Sequence, residues 1–103
     1  MNANMHVYSV DELKILLSPV FQQYGVKRAI LFGSYGKGTA TSKSDVDLVV
    51  DSGLKGLRFI GLIEDIKQSL QGKEADVFDV THIDHDSLVE REIEDTGVEI
   101  YAK

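Results

Sequence analysis

The chain has 103 residues, room for one small domain and too few for two, so a catalytic unit with a separate substrate domain is excluded. Residues of the AVILMFWYC class make up 43% and charged residues 27%, values of an ordinary globular chain that rule out a disordered or collagen-like one. Eleven Lys and Arg against seventeen Asp and Glu leave a formal charge of -6, the wrong sign for bulk binding of a phosphate backbone, and the lack of cysteine removes disulfides and thiolate zinc sites.

The start, residues 1–7, is polar enough to be expected frayed, with neither a cationic leader nor an apolar run for secretion. No stretch approaches the eighteen or so apolar residues of a membrane span, so the chain is read as soluble and cytoplasmic. Ser9-Val10-Asp11-Glu12 matches a capping box and opens a helix. Val10, Leu13, Leu16, Leu17, Val20, Phe21 and Tyr24 follow at helical spacing, and Gly25 stops it. Pro19 falls inside this run, which predicts a kink or two abutting helices.

Lys27 to Phe32 reads as a strand running into Gly33-Ser34, and the glycine-rich stretch Gly33 to Ser44 as a loop with room for one helical turn. Asp45 to Val50 alternates acid and apolar residues before turning wholly apolar, the pattern of a strand exposed at its first end and buried at the other. Leu54 to Leu70 carries Leu57, Ile60, Ile63 and Leu70 at helical spacing, closed by Gly72. Ala75 to Val80 gives a third strand, Asp86 to Glu94 a short helix, and Val98 to Tyr101 a last strand after Gly97. The expected fold class is α/β (α+β): one domain over residues 1–103, a small mixed sheet of about four strands with helices packed mainly on one side.

Three features converge on chemistry. Gly33-Ser34 follows a strand, Asp45 and Asp47 come after ten intervening residues, and Asp76 stands on the third strand. Side chains alternate along a strand, so Asp45 and Asp47 share a face with Cα atoms about 6.6 Å apart, a spacing that suits carboxylates bridging ions. Two magnesium ions roughly 3.5–4 Å apart can hold the attacking and leaving oxygens of an in-line phosphoryl displacement. Gly33 permits close backbone approach, and Ser34 offers a hydroxyl and an amide to phosphate oxygens. Between Val26 and Ser44 stand Lys27, Arg28, Lys37 and Lys43 and no acid, a local field that favours a polyphosphate in an otherwise acidic chain.

Gly33-Ser34, ten residues, then Asp45-Val46-Asp47, preceded by Leu31-Phe32 and followed by a later Ala-Asp strand, resembles the signature of the nucleotidyltransferase superfamily related to DNA polymerase β. The short length points to its minimal nucleotidyltransferases, often the antitoxin halves of prokaryotic two-gene HEPN/MNT modules. The resemblance implies Asp45 and Asp47 as metal ligands, Asp76 as the third carboxylate, acting as base or orienting the acceptor, and Gly33, Ser34 and Lys37 as the triphosphate grip. Two Mg2+ ions and ATP as substrate come with it. It also implies AMP transfer to a tyrosine hydroxyl of a HEPN-type toxin ribonuclease partner. Lys37 stands where relatives carry arginine and loses the planar fork, while Tyr35 and Gly36 replace the commoner Arg-Ala. Other readings are a non-catalytic module that inhibits by occlusion and nucleotide transfer to a small molecule.

Competing assignments accompany these. Asp79 competes with Asp76 but lies an odd number of residues away and so on the opposite face. His82-Ile83-Asp84-His85-Asp86 is either a metal cluster or, as such runs more often are, a solvated turn with Asp84 or Asp86 capping the next helix. Glu90-Arg91-Glu92 and Glu94-Asp95 read as a solvated helix face.

Overall fold

The computed structural model describes residues 6–103; of the start expected to fray, residues 1–5 lie outside the described part. Helix α1 spans Val10–Tyr24. Its first turn is closed as the capping box predicts: Ser9 Oγ accepts the Glu12 N–H at 3.0 Å and the Glu12 carboxylate accepts the Ser9 N–H at 2.9 Å. Gly25, at φ 69°, ends it in the left-handed conformation that only glycine adopts without strain. Pro19 does not split the element. The helix runs through as one, with Ile15, the residue whose carbonyl loses its N–H partner, 75% exposed on the solvent side.

Strand β1 (Arg28–Phe32) leads into the short helix α2 (Gly33–Lys37), the single turn that the glycine-rich stretch had room for. Strand β2 (Val46–Asp51), helix α3 (Leu57–Ser69), strand β3 (Ala75–Asp79), a 3-10 turn (Val80–His82), helix α4 (Leu88–Thr96) and strand β4 (Val98–Ala102) follow. Helix α3 starts three residues later than its apolar pattern suggests, after Gly56 at φ 59°. Helix α4 is also displaced: Ser87, not Asp84 or Asp86, is its N-cap, accepting the Glu90 N–H at 3.1 Å.

The four strands form one mixed sheet in the order β3-β2-β1-β4, with β1 antiparallel to both neighbours and β2 parallel to β3. Ala29, Leu31, Val46, Leu48, Val50 and Ala75 face α1 and α3, which contribute Leu13, Leu17, Phe21, Leu62 and Ile66 to a fully apolar core. Alternation sends Asp47 and Val49 to the other face, where α4 comes in against β1 and α2; a Cβ on Gly97 would sit 3.0 Å from the Ile30 side chain. Among the described residues no helix is long and apolar enough to cross a membrane.

Candidate active site

Register decides which acids meet. In the parallel β2–β3 pair Asp47 stands directly beside Asp76, while Asp47 also faces Phe32 across β1. Asp45 is exposed immediately ahead of β2, on the same side as Asp47. The loop before it is tied at 41–44, where Thr41 N–H donates to Ser44 Oγ at 2.9 Å, and Lys73 Nζ donates to the Ser42 carbonyl at 3.4 Å.

Gly33 binds this group to the turn after β1. Its φ is 72°, and a Cβ there would lie 2.4 Å from Asp47 Oδ2, inside any permitted contact. Any side chain at 33 therefore displaces the Asp47 carboxylate. The Gly33 N–H donates to Thr96 Oγ1 at 2.9 Å, and Thr96 Oγ1 donates to the Glu92 carbonyl at 2.7 Å. A Cβ on Gly36 would lie 2.2 Å from the Thr96 carbonyl oxygen, so glycine is required where α2 packs on α4. Tyr35 is 3% exposed and belongs to the core, so its replacement of the family's arginine puts no side chain toward the site. Ser34 is half-buried in the first turn of α2, and Lys37 is exposed at its end with no ion pair among the described residues.

The electrostatics follow from this crowding. Burial, then the charges of Asp76, Glu92 and Asp45, push the Asp47 carboxyl up to about 6. A carboxylate held half-buried among like charges is short of a cation, and the hard oxygen donors of Asp45, Asp47 and Asp76 are the set magnesium takes. Residues and ion fit.

Asp79 is elsewhere. It ends β3, is 2% exposed, and accepts from Ser52 N–H (3.0 Å), Ser52 Oγ (2.6 Å), Thr81 N–H (3.1 Å) and Thr81 Oγ1 (2.7 Å). The His82 to Asp86 run is not gathered around one point. His82 Nδ1 accepts the Asp79 N–H at 3.4 Å and its ring stands edge-on to Phe59, whereas His85 turns to Asp86 and Glu90 at the surface. Asp86, expected as a possible cap, instead gives its own N–H to the Glu90 carboxylate at 2.8 Å.

Residues 16–103 match the polymerase β nucleotidyltransferase family. The chain belongs to that family. A Methanocaldococcus jannaschii protein named "Putative protein adenylyltransferase" is 35% identical to this nucleotidyltransferase over 86 residues, 81% of this chain and 89% of the relative. The fold is shared with a chain of a crystallised toxin–antitoxin bound to AMP-PNP (TM-score 0.72, 18% identity, 87% of this chain and 73% of that one). It is shared also with a complex of tri-AMPylated Shewanella oneidensis HEPN toxin and MNT antitoxin (TM-score 0.68, 14% identity, 91% and 73%).

Two members of this nucleotidyltransferase's site carry no signal in its sequence. Glu92 sits in what reads as a solvated helix face, and Thr96 lies beyond the expected end of that helix at Glu94. The i, i+4 spacing of the two on α4 is the only trace available, and it gains meaning once α4 is known to lie on α2.

Proposed function

We propose that this nucleotidyltransferase moves AMP from ATP to a hydroxyl of a partner protein, a tyrosine of a HEPN-type toxin ribonuclease, and thereby acts as its antitoxin. The observation that carries the reading is the juxtaposition of Asp47 with Asp76 in register, with Gly33 pressed against Asp47. The identity of the acceptor is drawn from the named M. jannaschii relative and from the AMPylated toxin in the S. oneidensis complex. The chain would work as one minimal domain over residues 1–103, with the acceptor supplied by the partner.

In the reaction the acceptor oxygen bonds to the α-phosphorus of ATP, the bond from that phosphorus to the bridging oxygen of the β-phosphate breaks, and pyrophosphate leaves. Asp45, Asp47 and Asp76 would hold two magnesium ions, which when bound neutralise the triphosphate and the charge that develops on the oxygens. Asp76, exposed beside Asp47, would orient the acceptor hydroxyl and take its proton. Ser34 Oγ and the Lys37 ammonium would grip the β- and γ-phosphates. Gly33 holds Asp47 in place and spends its own N–H on Thr96, so it shapes the turn and leaves phosphate contact to its neighbours.

The test is intact mass spectrometry of the co-encoded partner after incubation with this protein, ATP and magnesium, with Asp47→Asn alongside. A gain of one or more AMP units with the wild type alone is the expected result. An unmodified partner in a stable, inhibited complex would overturn transfer in favour of occlusion, and neither gain nor complex would point to a small-molecule acceptor.

A further inference from the structure

Lys73 is the only buried cation among the described residues, 4% exposed where a lysine ordinarily keeps its ammonium in water. Its main chain is tied down. Gln71 (φ 57°) and Gly72 (φ 84°) turn the chain out of α3, the Lys73 N–H donates to the Leu70 carbonyl at 3.2 Å, and that carbonyl also accepts the Tyr8 hydroxyl at 3.0 Å. From this anchor Nζ reaches the Ser42 carbonyl at 3.4 Å, thirty-one positions back in the chain. The contact is long for a hydrogen bond, but a full charge acts here on a carbonyl dipole in a place that water barely reaches.

Ser42 belongs to a closed unit. The Ser44 N–H donates to the Thr41 carbonyl at 3.0 Å and the Thr41 N–H to Ser44 Oγ at 2.9 Å, so residues 41–44 move as one turn. Among the described residues no other side chain from outside the turn bonds to it. Just past Asp45, the Val46 N–H donates to the Glu74 carbonyl at 3.1 Å. The backbone of Asp45 is therefore bracketed by two ties, and both come from the pair 73–74. An exposed carboxylate at the end of a loop has the freedom of that loop, whereas a metal ligand must be held to within about 0.5 Å.

We propose that Lys73 is a positioning residue of the metal site: through the Ser42 carbonyl its buried ammonium holds the 41–44 turn, and with it the backbone of Asp45, where the Asp45 carboxylate joins Asp47 around an ion. The inference rests on the metal-dependent reading above and adds to it a residue that neither the Gly-Ser turn nor the Asp-x-Asp spacing includes. Two roles for this charge have opposite signs. A cation that acts on the site only through its field repels a metal ion, so its loss tightens binding; a cation that places a ligand supports binding, so its loss weakens it.

The experiment is a Mn2+ titration of the nucleotide-free protein, with free Mn2+ followed by electron paramagnetic resonance, for wild type, Lys73→Met, Lys73→Arg and Lys43→Met. Lys43 is exposed in the same turn, and its replacement changes the net charge by the same amount. Loss of a group that orients a ligand weakens metal binding by about tenfold. The expected result is that loss in Lys73→Met, partial recovery in Lys73→Arg, and affinity equal to wild type or higher in Lys43→Met. In metal-free protein the Ser44 amide should exchange its hydrogen faster in Lys73→Met, while the Gly33 amide, held by Thr96, exchanges as in wild type. All comparisons are made below the lowest thermal unfolding midpoint of the set, and Lys73→Gln takes the place of Lys73→Met, with the same expectations, if the latter does not fold. Affinity unchanged or raised in Lys73→Met, or lowered equally in Lys43→Met, would overturn the proposal. The readings fail separately: a wild type that binds no Mn2+ ends the metal reading and this inference together, whereas a protein that transfers no AMP but binds Mn2+ in a Lys73-dependent way loses the proposed function and keeps this inference.

Discussion

Asp47 and Asp79 stand on neighbouring parallel strands, at opposite ends of the β2–β3 ladder, and are driven in opposite directions. Burial alone would raise both. At Asp79 it is outweighed by four donors from Ser52 and Thr81, which bring the carboxyl down to about 2. At Asp47 nothing offsets it, and Asp76, Glu92 and Asp45 add to it. The difference separates a carboxylate that completes the fold, with every lone pair used, from one whose environment is completed only by a ligand.

The sharpest way to break this contrast is to exchange acid for amide at Asp47. On the proposed function Asp47→Asn should reduce AMP transfer at least about 10²–10³-fold, since it would remove a metal ligand where charge develops. It should leave the thermal midpoint unchanged or higher, because like-charge crowding is relieved; a fall in that midpoint would show Asp47 to be structural. Asp79→Ala should do the reverse. It strands the N–H and hydroxyl of buried Ser52, which costs roughly 3 kcal/mol and lowers Tm on the order of 15 °C in thermal unfolding. Activity below the transition should persist.

Acidity separates the two carboxylates again. The folded value of Asp79 lies below its ordinary one, so its contribution, about 2 kcal/mol, is present above roughly pH 4 and lost as pH falls toward 2. Asp47 has the opposite sign. Its folded value is raised, so metal-free protein loses stability as pH rises through about 6. The stability advantage of Asp47→Asn over wild type should therefore be small below about pH 4, grow between about pH 4 and pH 6, level off above that, and disappear when magnesium is added; denaturant titrations at pH 4 and pH 7.5 measure it. The smallest effect is expected at the Arg28–Glu99 pair, both of whose side chains are about half exposed. Glu99→Gln should change stability by less than about 0.5 kcal/mol, a baseline against which the two aspartates are judged.

Local chemistry made much of this legible in the amino-acid order. The Ser9–Glu12 box and Gly25 bracket α1 by hydrogen bonds and backbone freedom that act within a few residues, and strand alternation alone puts Asp76 and Asp79 on opposite faces of β3. Pro19 misleads because the cost of a proline in a helix depends on what its missing N–H leaves exposed, and here that is solvent. The commitment of the Gly33 amide to Thr96 has no local signal, since the two residues are sixty-three positions apart and meet only through the packing of α4 on α2. Glu92 is hidden for the same reason: a charged residue on an amphipathic helix looks solvated until the helix is placed.

That same Gly33–Thr96 hydrogen bond has a consequence for synthesis. The turn of Gly33 is made early in translation, but the residue that holds it lies near the end of the polymerase β-like region, next to β4, which must still find β1. A growing chain that has released its first three strands carries all three aspartates and not yet the clasp behind Gly33. The shaped turn therefore arrives late, and an incomplete product of the ribosome is a chain with all three aspartates but without the contact that fixes Gly33 beside Asp47.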